Sequence, residues 1–258
     1  MISERFAARR AEGRAALVPY VTAGYPDRGS TCEVLQALTD AGADVIELGI
    51  PFSDPLADGP TIQHASFVSI EKGTTLQSLL RDLGSFRARA ETPIVLFTYL
   101  NPILRYGVAE FLRDARAAGA DGLLVTDLPA GSDPALEARI VESPLDLIRL
   151  VAPTTPIRRV PELAKGGSGF LYYISRTGVT GARGDLRSEL ADEVGRIRSV
   201  VQLPIAVGFG ISTPEQAASV AAVADGVVVG SALIQALDRG GAAEGARFLA
   251  SLREAMDA

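Results

Sequence analysis

The chain has 258 residues, 47% of them apolar and 22% charged, with 26 Gly, 15 Pro and a formal net charge of −6. No tract is dominated by one residue type, which sets disorder, collagen and coiled coil aside. The 25 basic residues are scattered rather than banked, which argues against a nucleic-acid groove or an anionic membrane surface. Cys32 and His64 are each the only residue of their kind, so neither an internal disulfide nor a zinc site of Cys and His ligands can be assembled. Small molecules and proteins remain as partners, and a reducing compartment, the cytoplasm, is expected.

Met1 to Gly13 carries Glu4, Arg5, Arg9, Arg10 and Glu12 without the apolar core of a secretory signal, and reads as a short amphipathic helix. Eight short β-branched runs follow: Ala16 to Thr22, Val45 to Gly49, Ile94 to Tyr99, Gly122 to Thr126, Leu147 to Val151, Phe170 to Ile174, Ile205 to Gly208 and Val227 to Gly230. Stretches of helical period alternate with them: Thr31 to Ala41, Leu76 to Ala90, Ala109 to Ala118, Pro134 to Val141, Arg158 to Ala164, Leu186 to Val200, Pro214 to Val223 and Ala242 to Ala255. The apolar stretch Ala217 to Leu237 is divided by Asp225, Gly226 and Gly230, and so reads as helix, turn and strand rather than as a membrane span.

Runs that are apolar on both faces suit parallel strands covered on both sides, and eight strand–helix repeats close into a (β/α)8 barrel. An open doubly wound sheet is the rival topology. Ala41-Gly42-Ala43-Asp44, Ala118-Gly119-Ala120-Asp121 and Ala224-Asp225-Gly226 form a weak internal repeat that ends a helix and launches a strand. No linker divides the chain, so residues 1–258 are expected to form one domain. Extra chain after the second and sixth strands marks where a barrel would build its site.

In Val45-Ile46-Glu47-Leu48-Gly49, Glu47 shares a face with Val45 and Gly49, which puts a carboxylate inside a strand. Burial would raise its pKa toward values useful for proton transfer, unless an Arg at the barrel mouth simply pairs with it. The segment from Pro51 to Gln63, PFSDPLADGPTIQ, is too irregular for a helix and too restrained for a linker. Either Asp54 or Asp58 could supply a second carboxylate, but taken alone each is better explained by an Asx turn or a cap for the helix starting near Thr61. His64 reads as an ordinary surface or helix-packing residue.

Two Gly-rich turns end the last two strands, Val207-Gly208-Phe209-Gly210-Ile211-Ser212 and Val229-Gly230-Ser231, with a short helix opening at Ser231. Backbone N–H groups at such turns hold phosphate without any Lys. The loop Ile174-Ser175-Arg176-Thr177-Gly178-Val179-Thr180-Gly181 after strand six reads as a polar lid over a phosphorylated substrate, with Gly181 near the anion.

With these motifs the sequence closely resembles the tryptophan synthase α subunit family. ELGIPFSDPLADGPTIQ (Glu47 to Gln63), ISRTGVTG (Ile174 to Gly181), VGFGIS (Val207 to Ser212) and the pair Gly230-Ser231 carry the resemblance, which spans the chain. It implies an eight-stranded TIM barrel that cleaves indole-3-glycerol phosphate to indole and glyceraldehyde 3-phosphate. It also implies a β-subunit partner in an α2β2 complex, with pyridoxal phosphate in that partner and no cofactor in this chain; a stand-alone lyase that releases free indole is the alternative. By the same resemblance Glu47, Asp58 and Tyr172 match catalytic positions, with Asp58 holding the indole N–H. Gly181, Gly210, Gly230 and Ser231 match the phosphate cradle, Tyr20, Leu100 and Leu128 the indole pocket, and Thr180 with Arg176 the lid.

Overall fold

The computed structural model describes residues 1–175, 183–208 and 210–258, with 183–187 as backbone alone. Its strands are β1 (Ala16–Thr22), β2 (Ile46–Gly49), β3 (Ile94–Thr98), β4 (Gly122–Val125), β5 (Asp146–Leu147), β6 (Arg149–Val151), β7 (Leu171–Ile174), β8 (Ile205–Gly208) and β9 (Gly226–Val229). Every pairing is parallel, and the order is β5-β4-β3-β2-β1-β9-β8-β7-β6. The two ends of that order, β5 and β6, are consecutive in the chain and separated only by Ile148. The expected fifth strand, Leu147 to Val151, is thus divided: its first part pairs with β4 and its second with β7, and together they close the barrel.

Alternation along each strand builds two cores. Ala16, Val18, Val45, Val95, Leu124, Ile148, Phe170, Ala206 and Val228 point inward and pack as one cluster. Their neighbours Leu17, Val21, Ile46, Leu48, Leu96, Leu123, Val207 and Val227 point outward into a second, larger core beneath the helices. β1, β2, β4, β8 and β9 are buried at every position, which is why such strands read as apolar on both faces.

The N-terminal helix α1 (Ile2–Ala11) plugs the bottom of the barrel with Ile2 and Phe6, the latter stacked on Phe170 at 5.2 Å. Room for the plug comes from small residues: a Cβ at Gly226 would lie 2.8 Å from Phe6, and one at Gly122 2.9 Å from Ile2.

The internal repeat has a shared structural task at this end. Asp44 Oδ2 accepts from Leu17 N–H, Asp121 Oδ2 from Ile94 N–H and Asp225 Oδ2 from Ile205 N–H, each at 2.9 Å. Each Asp therefore caps the start of the preceding strand and locks its parallel neighbour in register. Arginines neutralise all three: Arg9 and Arg253 at Asp44, Arg87 and Arg116 at Asp121, Arg198 at Asp225. Among the described residues no helix is long and apolar enough to cross a membrane.

Candidate active site

The opposite, C-terminal end of the strands carries the polar interior. Inward alternation continues from Val18 to Tyr20 on β1 and from Val45 to Glu47 on β2, and the β1–β2 register pairs Tyr20 with Glu47. Glu47 is 1% exposed, and among the described residues its Oε1 has no hydrogen-bond partner. Burial alone pushes its pKa up to about 8, so at neutral pH this carboxyl holds its proton. The Arg that would have made it a structural ion pair is absent among the described residues.

Tyr172 follows Phe170 inward on β7, and its phenol is raised well above the ordinary value by burial and then by the nearby Glu47, Asp58 and Tyr20. These four groups thus share one low-dielectric space. Glycine makes room for both phenols: a Cβ at Gly49 would overlap the Tyr20 hydroxyl, and one at Gly208 the Tyr172 hydroxyl. Tyr20 is held edge-on against Phe97, with ring centroids 5.2 Å apart.

Asp58 comes from the loop between β2 and α3 (Pro60–Glu71), whose entry is set by Pro60 at the first helical position. The loop is pinned by Tyr99, just past β3: its hydroxyl donates to Asp58 Oδ2 at 3.0 Å and accepts from Ala57 N–H at 2.9 Å. Phe52 packs on the Tyr99 ring at 5.2 Å. Burial raises the Asp58 pKa to about 6, and the Tyr99 hydrogen bond restrains that rise. Asp58 is thus ionised at neutral pH while Glu47 is protonated. Asp54, by contrast, faces solvent and accepts from Ser53 Oγ at 2.5 Å, which is turn chemistry. His64 lies on the exposed side of α3.

The phosphate-type turns sit across the mouth. Gly230 caps α11 (Ser231–Asp257), so the N–H groups of the first turn are free to face an anion. The helix expected to be short continues to Asp257 with a break at Gly240 and Gly241. A Cβ at Gly230 would lie 3.6 Å from both Tyr20 and Ile62, which places this turn beside β1 and α3 at the mouth. Gly210 adopts a φ of 73°, the left-handed conformation that favours glycine. Arg176, Thr180 and Gly181, expected in the lid and cradle, lie outside the described residues.

Leu128 is buried in the loop after β4. Leu100 opens α5 (Leu100–Tyr106), half-buried against the helix-side core, with its N–H bonded to Asp127 Oδ1 at 2.7 Å. The side chains that line the mouth from β3, β4 and β6 are instead Phe97, Leu124 and Leu150, which strand alternation from Val95 and Ile148 places inward. Sequence reasoning missed these and missed Tyr99. Counting in steps of two along β3 would have found Phe97. Among the described residues, no group of three or more His, Cys, Asp or Glu is arranged to hold a metal ion.

Comparison with known proteins converges on one family. The model of the tryptophan synthase alpha chain family matches residues 6–257. The chain is 51% identical over 245 residues to the tryptophan synthase alpha chain of Gluconacetobacter diazotrophicus, covering 95% of this chain and 89% of the relative. It is 50% identical over 238 residues to that of Citrifermentans bemidjiense, covering 92% and 89%. Among solved structures it is similar to tryptophan synthase subunit alpha from Legionella pneumophila, with a TM-score of 0.92 at 36% identity over 99% of this chain and 98% of the other. An aminoacrylate-bound tryptophan synthase from M. tuberculosis gives 0.89 at 36% identity, over 99% and 98%. A buried protonated glutamate, an ionised aspartate on a braced loop and the same barrel over nearly the whole length meet in one assignment: the chain belongs to the tryptophan synthase alpha chain family.

Proposed function

We propose that the chain cleaves indole-3-glycerol phosphate by a retro-aldol reaction in which Glu47 moves the proton and Asp58 holds the ring. The observation that carries this reading is a pair of carboxyls at one mouth in different settings: Glu47 buried with an Oε1 that has no partner among the described residues, and Asp58 held by the Tyr99 hydroxyl, their pKa values pushed by burial up to about 8 and about 6. Cleavage cannot begin while the indole ring is aromatic, because the departing electron pair needs a sink. The Glu47 carboxyl gives its proton to ring carbon 3 and creates that sink as an indoleninium. Asp58 accepts a hydrogen bond from the ring N–H and stabilises positive charge that exists only during the reaction.

The Glu47 carboxylate then takes the proton of the hydroxyl on the carbon bonded to ring carbon 3. The O–H pair becomes the carbonyl of glyceraldehyde 3-phosphate, the C–C pair returns to the ring as indole, and Glu47 ends protonated as it began. Tyr172 lies beside the reacting glycerol, Tyr20 and Phe97 contact the ring, and Gly210, Gly230 and Ser231 receive the phosphate. Gly181 joins that cradle, with Thr180 and Arg176 in the covering lid. The scheme calls on no metal or cofactor of this chain.

A β subunit in an α2β2 assembly is the partner we assign, carrying pyridoxal phosphate and receiving the indole. Leu56, 91% exposed two residues before Asp58, supports a docking surface on the same loop as the catalytic aspartate. A cytoplasmic setting fits the single cysteine. The test is indole release from indole-3-glycerol phosphate by the purified chain, titrated with a β subunit. A rise in rate with β supports the α-subunit reading, full activity without β moves it to the stand-alone lyase, and no release under either condition overturns both.

A further inference from the structure

Among the described residues, the closure of the barrel through β5 and β6 holds at the bottom and parts at the mouth end, beside the proposed ring pocket. β4 pairs with β5 at Gly122 with Asp146 and Leu123 with Leu147, and Ile148 N–H reaches Leu123 O at 2.9 Å. Past that point β6 is paired with β7 and β4 with β3, so the two halves of the sheet part at the mouth end. A cavity of about 280 Å³ fills the parting. Thr126, Leu150 and Ile174 border it on the barrel side, where alternation from Leu124, Ile148 and Tyr172 turns them inward; Leu128 and Leu163 border it on the helix side, and Ala152 lines it just past the end of β6.

Thr126 ties this cavity to the site. Its N–H bonds Thr98 O at 2.9 Å, which sets it alongside Tyr99, the residue that holds Asp58. On the reading in which Asp58 takes the ring N–H, the cavity therefore opens beside the N–H edge of the indole, where carbons 6 and 7 lie. Carbon 4, on the opposite edge, is flanked by the glycerol chain itself.

We infer that this opening is a subsite for ring substituents, so that the enzyme accepts indole-3-glycerol phosphates bearing a methyl or halogen on carbon 6 or 7 and discriminates against the same group on carbon 4. The inference rests on the proposed lyase reaction. Its lining is apolar apart from the Thr126 and Thr155 hydroxyls and Arg149, whose guanidinium is paired with Glu137, so the favoured substituents are apolar: a buried methyl contributes about fourfold in binding, whereas a clash of that size in a closed pocket costs about ten- to two-hundredfold in kcat/KM.

The experiment measures kcat/KM of the full chain, with and without β subunit, for the unsubstituted substrate and its 4-, 6- and 7-methyl derivatives. The 6- or 7-methyl compound should be cleaved within about threefold of the parent substrate and the 4-methyl compound at least about tenfold more slowly. Ala152→Leu, which narrows the cavity at the end of β6, should reduce cleavage of the favoured methyl compound by about tenfold while leaving the unsubstituted substrate within about twofold. Leu163→Ala, which widens it, should extend tolerance to a larger 6- or 7-group and serves if the first variant does not fold. Equal rates for all three methyl isomers, or equal losses on substituted and unsubstituted substrates in Ala152→Leu, would overturn the inference. Failure to cleave the unsubstituted substrate would instead strike the lyase reaction, and this inference with it.

Discussion

The Tyr99 hydroxyl donates to Asp58 Oδ2 at 3.0 Å and takes the Ala57 N–H at 2.9 Å, so one phenol fixes both the backbone and the carboxylate of the loop after β2. Tyr99→Phe removes the hydrogen bond that favours ionised Asp58, and the Asp58 pKa should rise above about 6. The acid limb of kcat/KM should move to higher pH, with a loss of about tenfold in kcat at pH 7. A pH series on the variant checks this. A uniform loss with an unmoved limb would leave Tyr99 a packing residue only.

The native enzyme should show a bell-shaped pH dependence, with activity rising as Asp58 ionises near pH 6 and falling as Glu47 loses its proton near pH 8. The substrate phosphate also ionises at about pH 6, so the alkaline limb is the diagnostic one. A plateau extending to pH 10 would mean that Glu47 does not begin the cycle protonated.

Gly230→Asp should fold, since a Cβ there meets Ile62 and Tyr20 only at 3.6 Å, an ordinary contact. It would also set a carboxylate at the N-terminus of α11, where the substrate phosphate is expected. Affinity for glyceraldehyde 3-phosphate should fall by more than about tenfold with thermal stability within a few degrees of the parent. Unchanged affinity, measured by calorimetry, would place the phosphate elsewhere.

Asp44 is 1% exposed and joins Leu17 N–H, Arg9 and Arg253. Asp44→Ala leaves a buried donor and a guanidinium without their acceptor, and should cost about 3 to 5 kcal/mol in urea unfolding. The catalytic end is the other end of the strands, so turnover per folded molecule should be retained.

The barrel was legible because buried parallel strands leave an apolar signature on both faces, and Glu47 stood out as the one carboxylate inside such a run. The break at Ile148 was not legible: Leu147 to Val151 is continuous in composition, and only the two different neighbours of β5 and β6 divide it. The Ala-Gly-Ala-Asp repeat was visible as a helix stop. The aspartate's bond to the preceding strand was not visible, because that partner lies 27 residues back for both Asp44 and Asp121. Asp58 could not be separated from Asp54 by turn chemistry alone. What separates them is Tyr99, a contact across 41 residues. Leu100 and Leu128 were named for the ring pocket, yet alternation from Val95 turns Phe97 inward, and Leu124 belongs to the same inner cluster.

The most direct measurement is Glu47→Gln, assayed both for indole release and for stability against pH. Turnover should fall by about 10² to 10⁴ while substrate affinity stays within a few-fold. The Glu47 pKa rises from 4.5 unfolded to about 8 folded, so the native chain keeps a proton that the unfolded chain releases. Its contribution to stability is full below pH 4.5 and is lost as pH rises to about 8, by at most about 1.4 kcal/mol per pH unit crossed. The amide carries no such loss, so the variant should gain stability relative to the parent across that window while losing its chemistry. An inactive variant that is also more stable at pH 8 is the predicted result. Retained turnover, or a variant less stable than the parent at every pH, would contradict the account.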